Sequence, residues 1–450
     1  MIIWVILASI FGIFFVINFF NGLKNRVAFR EFFLMMYAIN FLLSPAILYS
    51  VPEQLLVYPM KLTADIYFPY AIAAIISMYI GLYTLQTPPP PIFRPNINLL
   101  RIEATLNESI LKNWIYAGMI LNLVSRFFPS EIAFFLYLLS LLRFVGGFGL
   151  YALDAKKYSK HILGLLFYEF LISLTTGMFH DFLMWVIFFT IFYLYIKKPS
   201  FLLKIGIFAA GIIFFFLLQN TKSGYRAAIS EGRSGIGVFA ESAETAAEAS
   251  LETSEEETGF FNTASFIGAV TRVNQAWILA STIDNMDRTQ DFQGLSNIKK
   301  YAEAAFLPRV LAPDKLTAGD KELFNRFSGH HIGNNTSMGL GIFADGYIAY
   351  GFFGLVIFSY FFGLVFSLVF KIVYGWTRIS PFFFLFIFPI LNYAVRPDCE
   401  VQTILGHIVK SILLFSLVMK YYSGFLVRKR IALDQIFNIE KKNFIKKSDV

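Results

Sequence analysis

Runs of 17 to 25 apolar residues recur along the chain, and only a bilayer gives so many successive apolar side chains a common solvent. We place them near 2–20, 32–51, 66–85, 112–128, 131–151, 161–178, 181–197, 203–219, 347–370, 380–396 and 402–421, eleven in all. Soluble domains carry about 25% charged residues. Here 57% of the 450 residues are hydrophobic and 15% charged, so the chain reads as one polytopic integral domain, an all-α bundle. The first span has no basic leader and no small-residue cleavage site, and reads as a retained helix rather than a signal peptide. The single Cys399 excludes an intrachain disulfide and reads as a buried apolar thiol.

The net charge of +8 would suggest a nucleic-acid partner if it were gathered on one surface. It lies instead in alternate connections, so no nucleic acid is expected. Lys24, Arg26 and Arg30 follow span one, Arg94, Arg101 and Lys112 span three, and Lys156, Lys157 and Lys160 span five. Lys197, Lys198 and Lys204 follow span seven, Lys371 and Arg378 span nine, and the tail carries Arg428, Lys429, Arg430, Lys441, Lys442, Lys446 and Lys447. By the positive-inside rule these connections are cytoplasmic, with the N-terminus outside and the C-terminus inside. Four segments follow: helices one to eight in 1–219, a large external loop in 220–340, helices nine to eleven in 341–421, and a basic cytoplasmic tail in 422–450. The tail either lies on an anionic leaflet or is a solvated end that fixes orientation. Pro88 to Pro91, without backbone donors, make a stiff connector to which we assign no function.

Inside the loop, residues 240–258 are rich in Ala, Ser, Thr and Glu, with Glu241, Glu244, Glu248, Glu252 and Glu255 at helical spacing. Their low complexity favours a mobile, solvated segment; the sharper alternative is a lid over a basic site. Residues 260–283 are more apolar but interrupted by Arg272 and Asn274, and read as an amphipathic or re-entrant helix at the interface.

Between Phe306 and Gly354 stand Pro308-Arg309, then Pro313-Asp314-Lys315, then Thr336-Ser337 before a Gly-rich apolar run, then Tyr347-x3-Gly351-x2-Gly354. This pattern, about a tenth of the chain, resembles the Wzy-like oligosaccharide repeat-unit (O-antigen) polymerases, which share a superfamily with the O-antigen ligases. The resemblance implies a GT-C-like glycosyltransferase architecture in the bacterial inner membrane, with the large loop periplasmic. It implies joining of oligosaccharides carried on undecaprenyl pyrophosphate, as donor and acceptor, at the outer leaflet. It further implies no cofactor, no metal, membrane lipid around the chain and a chain-length regulator protein as partner. Some members carry Arg-x10-Gly in their external loops; Arg226 to Gly237 fits this, and Arg309 to Gly319 is one residue short.

Physical chemistry gives these arginines a task. A diphosphate leaving group gains negative charge as its glycosidic bond breaks, and guanidinium forks bind such oxygens with a charge that does not titrate. Arg309 and Arg226 are therefore the first catalytic candidates, with Arg233, Arg272, Arg326, Lys315 and Lys321 as substrate-binding cations; the alternative is that each is a solvated loop charge. His330 and His331 would orient or deprotonate the acceptor hydroxyl, or else are polar surface. No carboxylate or Cys lies at metal-ligand spacing from them. Asp345, Asp398 and Glu400 are alternative carboxylates, and Arg396 through Glu400 either completes the site or caps two helices. His180 and Asp181 form a further site-facing pair, and His407 reads as a packed or interfacial histidine. Arg143 and Glu169 each lie about eight residues, roughly 12 Å, from the cytoplasmic ends of neighbouring spans. They are placed to pair, for function or for packing.

No Walker loop, dinucleotide fingerprint or His-Glu-x2-His helix occurs, and no clear internal repeat. The expected activity is polymerisation of lipid-linked repeat units by block glycosyl transfer. The alternatives are ligase-type transfer of finished glycan to another acceptor, and transport or flipping of lipid-linked glycans.

Overall fold

A computed structural model describes residues 1–85, 94–252, 263–307, 311–312, 314–316, 319–333 and 338–422, and among them every regular element is helical. In chain order these are α1 (Ile2–Gly22), α2 (Phe29–Leu48), α3 (Ala64–Thr84), α4 (Ile97–Leu106), α5 (Glu108–Ser125), α6 (Ser130–Ser140), α7 (Leu142–Asp154), α8 (Ser159–Thr176) and α9 (His180–Lys197). There follow α10 (Phe201–Ser230), α11 (Ile236–Glu252), α12 (Thr263–Val273), α13 (Ala276–Thr289), α14 (Leu295–Phe306), α15 (Lys321–Ser328), α16 (Ile342–Thr377) and α17 (Val401–Tyr422).

Among the described residues, eight helical stretches are long and apolar enough to cross a bilayer: α1, α2, α3, the α6–α7 stretch from Ile132, α9, α10, α16 and α17. The protein is an all-helical polytopic membrane protein. Two of the eleven expected spans, α5 and α8, are 18-residue helices diluted by Glu108, Lys112 and Asn113 and by Lys160, His161 and Glu169. The tenth, 380–396, is not a continuous helix. It runs as a 3-10 turn over Pro381–Phe386, one helical turn over Ile387–Ile390, and then turns. Irregular backbone at such a depth is tolerated only inside protein, and here Phe382 through Val395 are buried except Tyr393. His407 on α17 reaches the freed Pro389 carbonyl at 2.7 Å. It is the packed histidine its sequence context suggested.

Contacts sort the connections to two ends. At one, the Lys204 ammonium donates to Leu23 O (3.2 Å), Arg101 to Ala152 O (3.0 Å) and the Tyr195 hydroxyl to Pro95 O (3.0 Å), while Ser380 meets Glu103. These are the basic connections. The described helices between α10 and α16 are at the other end. The aromatic core lies between them, with Phe144 stacked on Trp185 at 3.4 Å and Phe148 between Phe189 (4.2 Å) and Phe388 (4.4 Å).

Backbone departures have local causes. Pro45 has no N–H for the Phe41 carbonyl; a π-helical turn over Ile39–Leu43 precedes it, and the Tyr67 hydroxyl donates to Phe41 O at 3.0 Å. Helix α16 breaks where Tyr350 (φ −148°, ψ 35°) meets Gly351 (φ 61°, ψ −143°), a combination open to glycine. The carbonyls of Ile348 and Ala349, left without helical partners, accept from Gln293 and Gly294 N–H, each at 3.0 Å. Beyond the break the chain folds back so tightly that a Cβ on Gly354 would strike the Gly346 carbonyl. The expected span at 347–370 therefore enters its long helical run only at 352. Tyr347, Gly351 and Gly354, residues of the resemblance motif, build this bend.

Candidate functional site

Basic side chains from several elements converge at the loop end. Helix α10 does not stop at 219, where the loop boundary was expected, but runs on to Ser230. Lys222 and Arg226, one turn apart, therefore share a helix face. Two bonds hold this extension against the turn after α8: Tyr225 hydroxyl to Leu174 O (2.9 Å) and Arg226 Nε to Gly177 O (3.2 Å). Helix α12 brings in Arg272, whose Nη1 donates to Gln219 O (2.9 Å) and Gln219 Oε1 (3.0 Å). The turns after Ile390 bring in Arg396, paired with Asp181 at 2.7 Å and Asp398 at 3.6 Å, with its guanidinium 5.2 Å from the Tyr393 ring.

These groups act on one another. Lys222 lies within electrostatic reach of Arg226, Arg272 and Asp398, and His180 within reach of Arg396, Asp398, Asp181 and Lys222. Partial burial works against ionised Asp398, yet the Arg396 guanidinium and His180 hold its carboxyl below the usual range. Burial and the like charge of Arg226 both lower Arg272. Four cations thus face two carboxylates, an unbalanced arrangement that favours an anion. Of the cluster, Arg226, Arg272, Arg396 and Asp398 were expected from sequence. Lys222 was missed, because the apolar run ends at 219 and hides the continuation of the helix; its spacing of four from Arg226 was the available signal.

Beyond Asp398 the same turn supplies a second, acidic half. Glu400 is buried and accepts from Gly319 N–H (3.0 Å) and the Gln402 amide (2.7 Å). Burial, with Asp345 and Asp320 nearby, pushes its carboxyl up to about 8, so it holds a proton at neutral pH. Asp345, 2% exposed, accepts from the Tyr301 hydroxyl at 2.7 Å and Val401 N–H at 3.3 Å. Sealed in this way, Asp345 locks α14 to α16 and α17.

A third element is an aromatic shelf. Tyr58 stacks on Trp277 at 4.5 Å, and His330 stands edge-on to Trp277 at 5.3 Å with its Nε2 2.9 Å from Ser281 Oγ. Asn285 fixes the chain ahead of His330 by donating to Arg326 O (2.9 Å) and Phe327 O (3.1 Å). Burial and Lys61 lower the His330 pKa, leaving a neutral imidazole able to accept a proton. Tyr58 is also within electrostatic reach of Arg272, which joins the shelf to the basic cluster. His331 is exposed.

Other expected residues lie elsewhere or are already engaged. Arg326 makes a two-pronged pair with Asp291 (2.8 and 2.9 Å), and Arg233 an exposed pair with Glu241 (2.5 Å). Lys315 donates to Leu307 O at 2.8 Å, and Lys321 opens α15 behind the Asp320 cap. Arg309, with Pro308, Pro313, Thr336 and Ser337, lies outside the described residues, as do Glu255, Pro88 to Pro91 and the tail basic residues from Arg428. The acidic stretch expected to be mobile is helical through Glu252, because Phe239 anchors it among Phe170 (5.5 Å), Phe179 (5.3 Å) and Tyr225 (5.4 Å). Residues 263–289 form two helices broken at buried Asn274, whose side chain accepts from Ala276 N–H at 3.0 Å. Arg143 and Glu169 do pair, at 2.6 Å, and Ser140 takes a second guanidinium bond at 2.6 Å. That pair is closed on itself, as a packing element is.

The fold and these three elements define a polytopic helical membrane protein with a cationic, aromatic-flanked surface at one end. The chain belongs to the family described as Domain of unknown function (DUF8712), whose model matches residues 92–374. No curated protein and no solved structure matches it. The matched region includes Lys222, Arg226, Arg272 and His330, and stops short of the turn at Arg396 to Glu400.

Proposed function

We propose that the protein is a glycosyltransferase that polymerises oligosaccharide repeat units carried on undecaprenyl pyrophosphate. In this reading it sits in a bacterial inner membrane in a GT-C-like arrangement. The loop end is periplasmic, the C-terminal tail cytoplasmic, and a chain-length regulator is a partner. The observation that carries the reading is the convergence of Lys222, Arg226, Arg272 and Arg396 beside a shelf suited to sugar. Aromatic faces take the apolar side of a pyranose, and a cation cluster takes a diphosphate.

In the transfer step the acceptor hydroxyl oxygen forms a bond to the anomeric carbon of the donor. The bond from that carbon to the diphosphate oxygen breaks, and its electron pair leaves with the diphosphate. Lys222, Arg226 and Arg272 stabilise that developing charge. The hydroxyl proton passes to His330, which is kept neutral and oriented by Ser281. Arg396, braced by Asp181 and Asp398, holds its guanidinium toward the same anion. The carrier bond supplies the driving force, so no nucleotide sugar enters.

The test is an in-vitro reaction of the purified protein with lipid-linked repeat units. A ladder of longer products from wild type, lost in Arg272→Ala, supports the proposal. No ladder, or an Arg272→Ala variant equal to wild type, overturns it. A single-addition pattern would identify ligase-type transfer instead.

A further inference from the structure

Helix α10 is packed at its two ends and bare in the middle. Near its start Lys204 holds Leu23 O and Phe208 meets Phe20 at 5.1 Å; near its end Leu218 and Tyr225 are buried with Leu174 and Phe179. Between them, Ala209, Ala210, Gly211, Ile212, Ile213 and Phe214 are all exposed. A helix lying against a bundle buries one stripe at i, i+3 and i+4, and six successive residues at about 100° each circle the whole helix. The exposed run from Ala209 to Ile213, itself more than a full turn, therefore means that this stretch of α10 stands away from the bundle on its inner side too; contact resumes at Phe214, whose ring lies 6.4 Å from Phe182 on α9. Gly206 and Gly211 agree, since a Cβ at either would meet nothing within 4 Å.

The depth of this gap is informative. From Lys204 to Lys222 is about 27 Å along the helix, at about 1.5 Å per residue, close to the roughly 30 Å hydrocarbon core of a bilayer. Gly211 lies about 16 Å from Lys222 by the same rise, so the bare stretch is near mid-bilayer and the basic cluster at the headgroup level above it. An opening lined by Ile212 and Ile213, bounded above by the Phe214–Phe182 contact and leading up to Lys222, Arg226 and Arg272, matches one kind of molecule in shape and charge.

We infer that the gap behind α10 is a lateral entry crevice that takes the hydrocarbon chain of a long-chain lipid phosphate, whose anionic head rests in the cluster of Lys222, Arg226 and Arg272. This deepens the proposed function and rests on the same cluster, but binding needs no turnover. Charge complementarity selects this occupant over the zwitterionic lipids that surround any membrane helix.

The test uses the full chain in nanodiscs, with a photoreactive residue at Ile213, a second at Leu202 as control, and a sugar-free polyprenyl diphosphate as the probe. The probe should crosslink at 213 and far less at 202. Removing the charge in a Lys222→Ala, Arg272→Ala double variant should lower the yield at 213 at least about tenfold, the effect of one charge-assisted hydrogen bond. The neutral polyprenol, tried on the wild-type chain, needs no second variant and should crosslink equally weakly at both positions. Equal yields from diphosphate and neutral alcohol at 213, or equal yields at 213 and 202, overturn the inference. Crosslinking without polymer would leave the crevice standing and remove the transferase reading; polymer without crosslinking would do the reverse.

Discussion

Replacing Glu400 by Gln changes one atom and isolates the proton that burial keeps on the folded carboxyl. In the unfolded chain Glu400 ionises near its ordinary 4.5, and in the folded protein near about 8. Below pH 4.5 both states hold the proton and stability is undiminished. As the pH rises toward 8 the unfolded state releases it while the folded state keeps it, so stability falls across that window and the whole loss is present above 8. At about 1.36 kcal/mol for each pH unit, the displacement amounts to about 5 kcal/mol at most. Gln preserves the acceptor for Gly319 N–H and cannot ionise. The assay is thermal unfolding of purified wild type and Glu400→Gln at pH 5, 7 and 9. The two should melt within about 2 °C of each other at pH 5, and the variant should gain on wild type by several degrees more at pH 9, at about 2 °C per kcal/mol. A difference in melting temperature that stays constant with pH, or a variant that loses ground at pH 9, refutes the argument.

Three further outcomes follow from the geometry. Removing one partner of the buried Arg143–Glu169 pair, as in Glu169→Leu, should destabilise by about 3 to 5 kcal/mol, while Arg143→Met with Glu169→Leu should recover most of it in the same melting assay. Gly351→Ala forces a side chain into a region closed to it and should cost about 1 to 2 kcal/mol with the fold retained, whereas Gly354→Leu, driven against the Gly346 carbonyl, should give no folded protein on size exclusion. Arg396→Lys keeps the charge but cannot serve Asp181 and Asp398 with one planar fork, so it should retain the fold and lose product ladder by about tenfold or more.

The apolar runs made the helices legible, because length and composition report burial in lipid whatever the packing. They could not report where a helix continues through polar residues, and that is why Lys222 was hidden and why α10 was cut after Gln219. The pairing of Arg143 with Glu169 could be read from depth alone, since two charges at equal depth on adjacent helices have few other partners. The bend at Gly351 could not: Tyr347-x3-Gly351-x2-Gly354 stood out as a motif, yet its spacing says nothing of the Gln293 and Gly294 donors that satisfy the broken helix from far along the chain. His330 was singled out as one of a pair. Only tertiary contact with Trp277 and Ser281 separates it from exposed His331.

The break in the expected tenth span explains how charge of both kinds is presented from five residues. In an α-helix Arg396 and Glu400 would lie one turn apart on one face and point the same way. In the observed turns, Arg396 reaches Asp181 at the start of α9, while Glu400 turns toward Gly319 and Gln402. An unwound segment at this depth leaves backbone groups that lipid cannot satisfy. The protein supplies the partners: His407 for the Pro389 carbonyl, and the Asp345 carboxylate for Val401 N–H at the start of α17. Asp345 is in turn bonded by Tyr301 from α14. The residues that close the broken segment therefore also tie α14, at the loop end, to the bundle. Loosening Asp345 should disturb the loop end as a whole, and Arg396 with it, before it disturbs the opposite end. Hydrogen exchange of an Asp345→Asn variant would show this as faster exchange in α14 and in 391–400, with α5 and α7 unchanged; uniform acceleration would mean that the two ends are one cooperative unit.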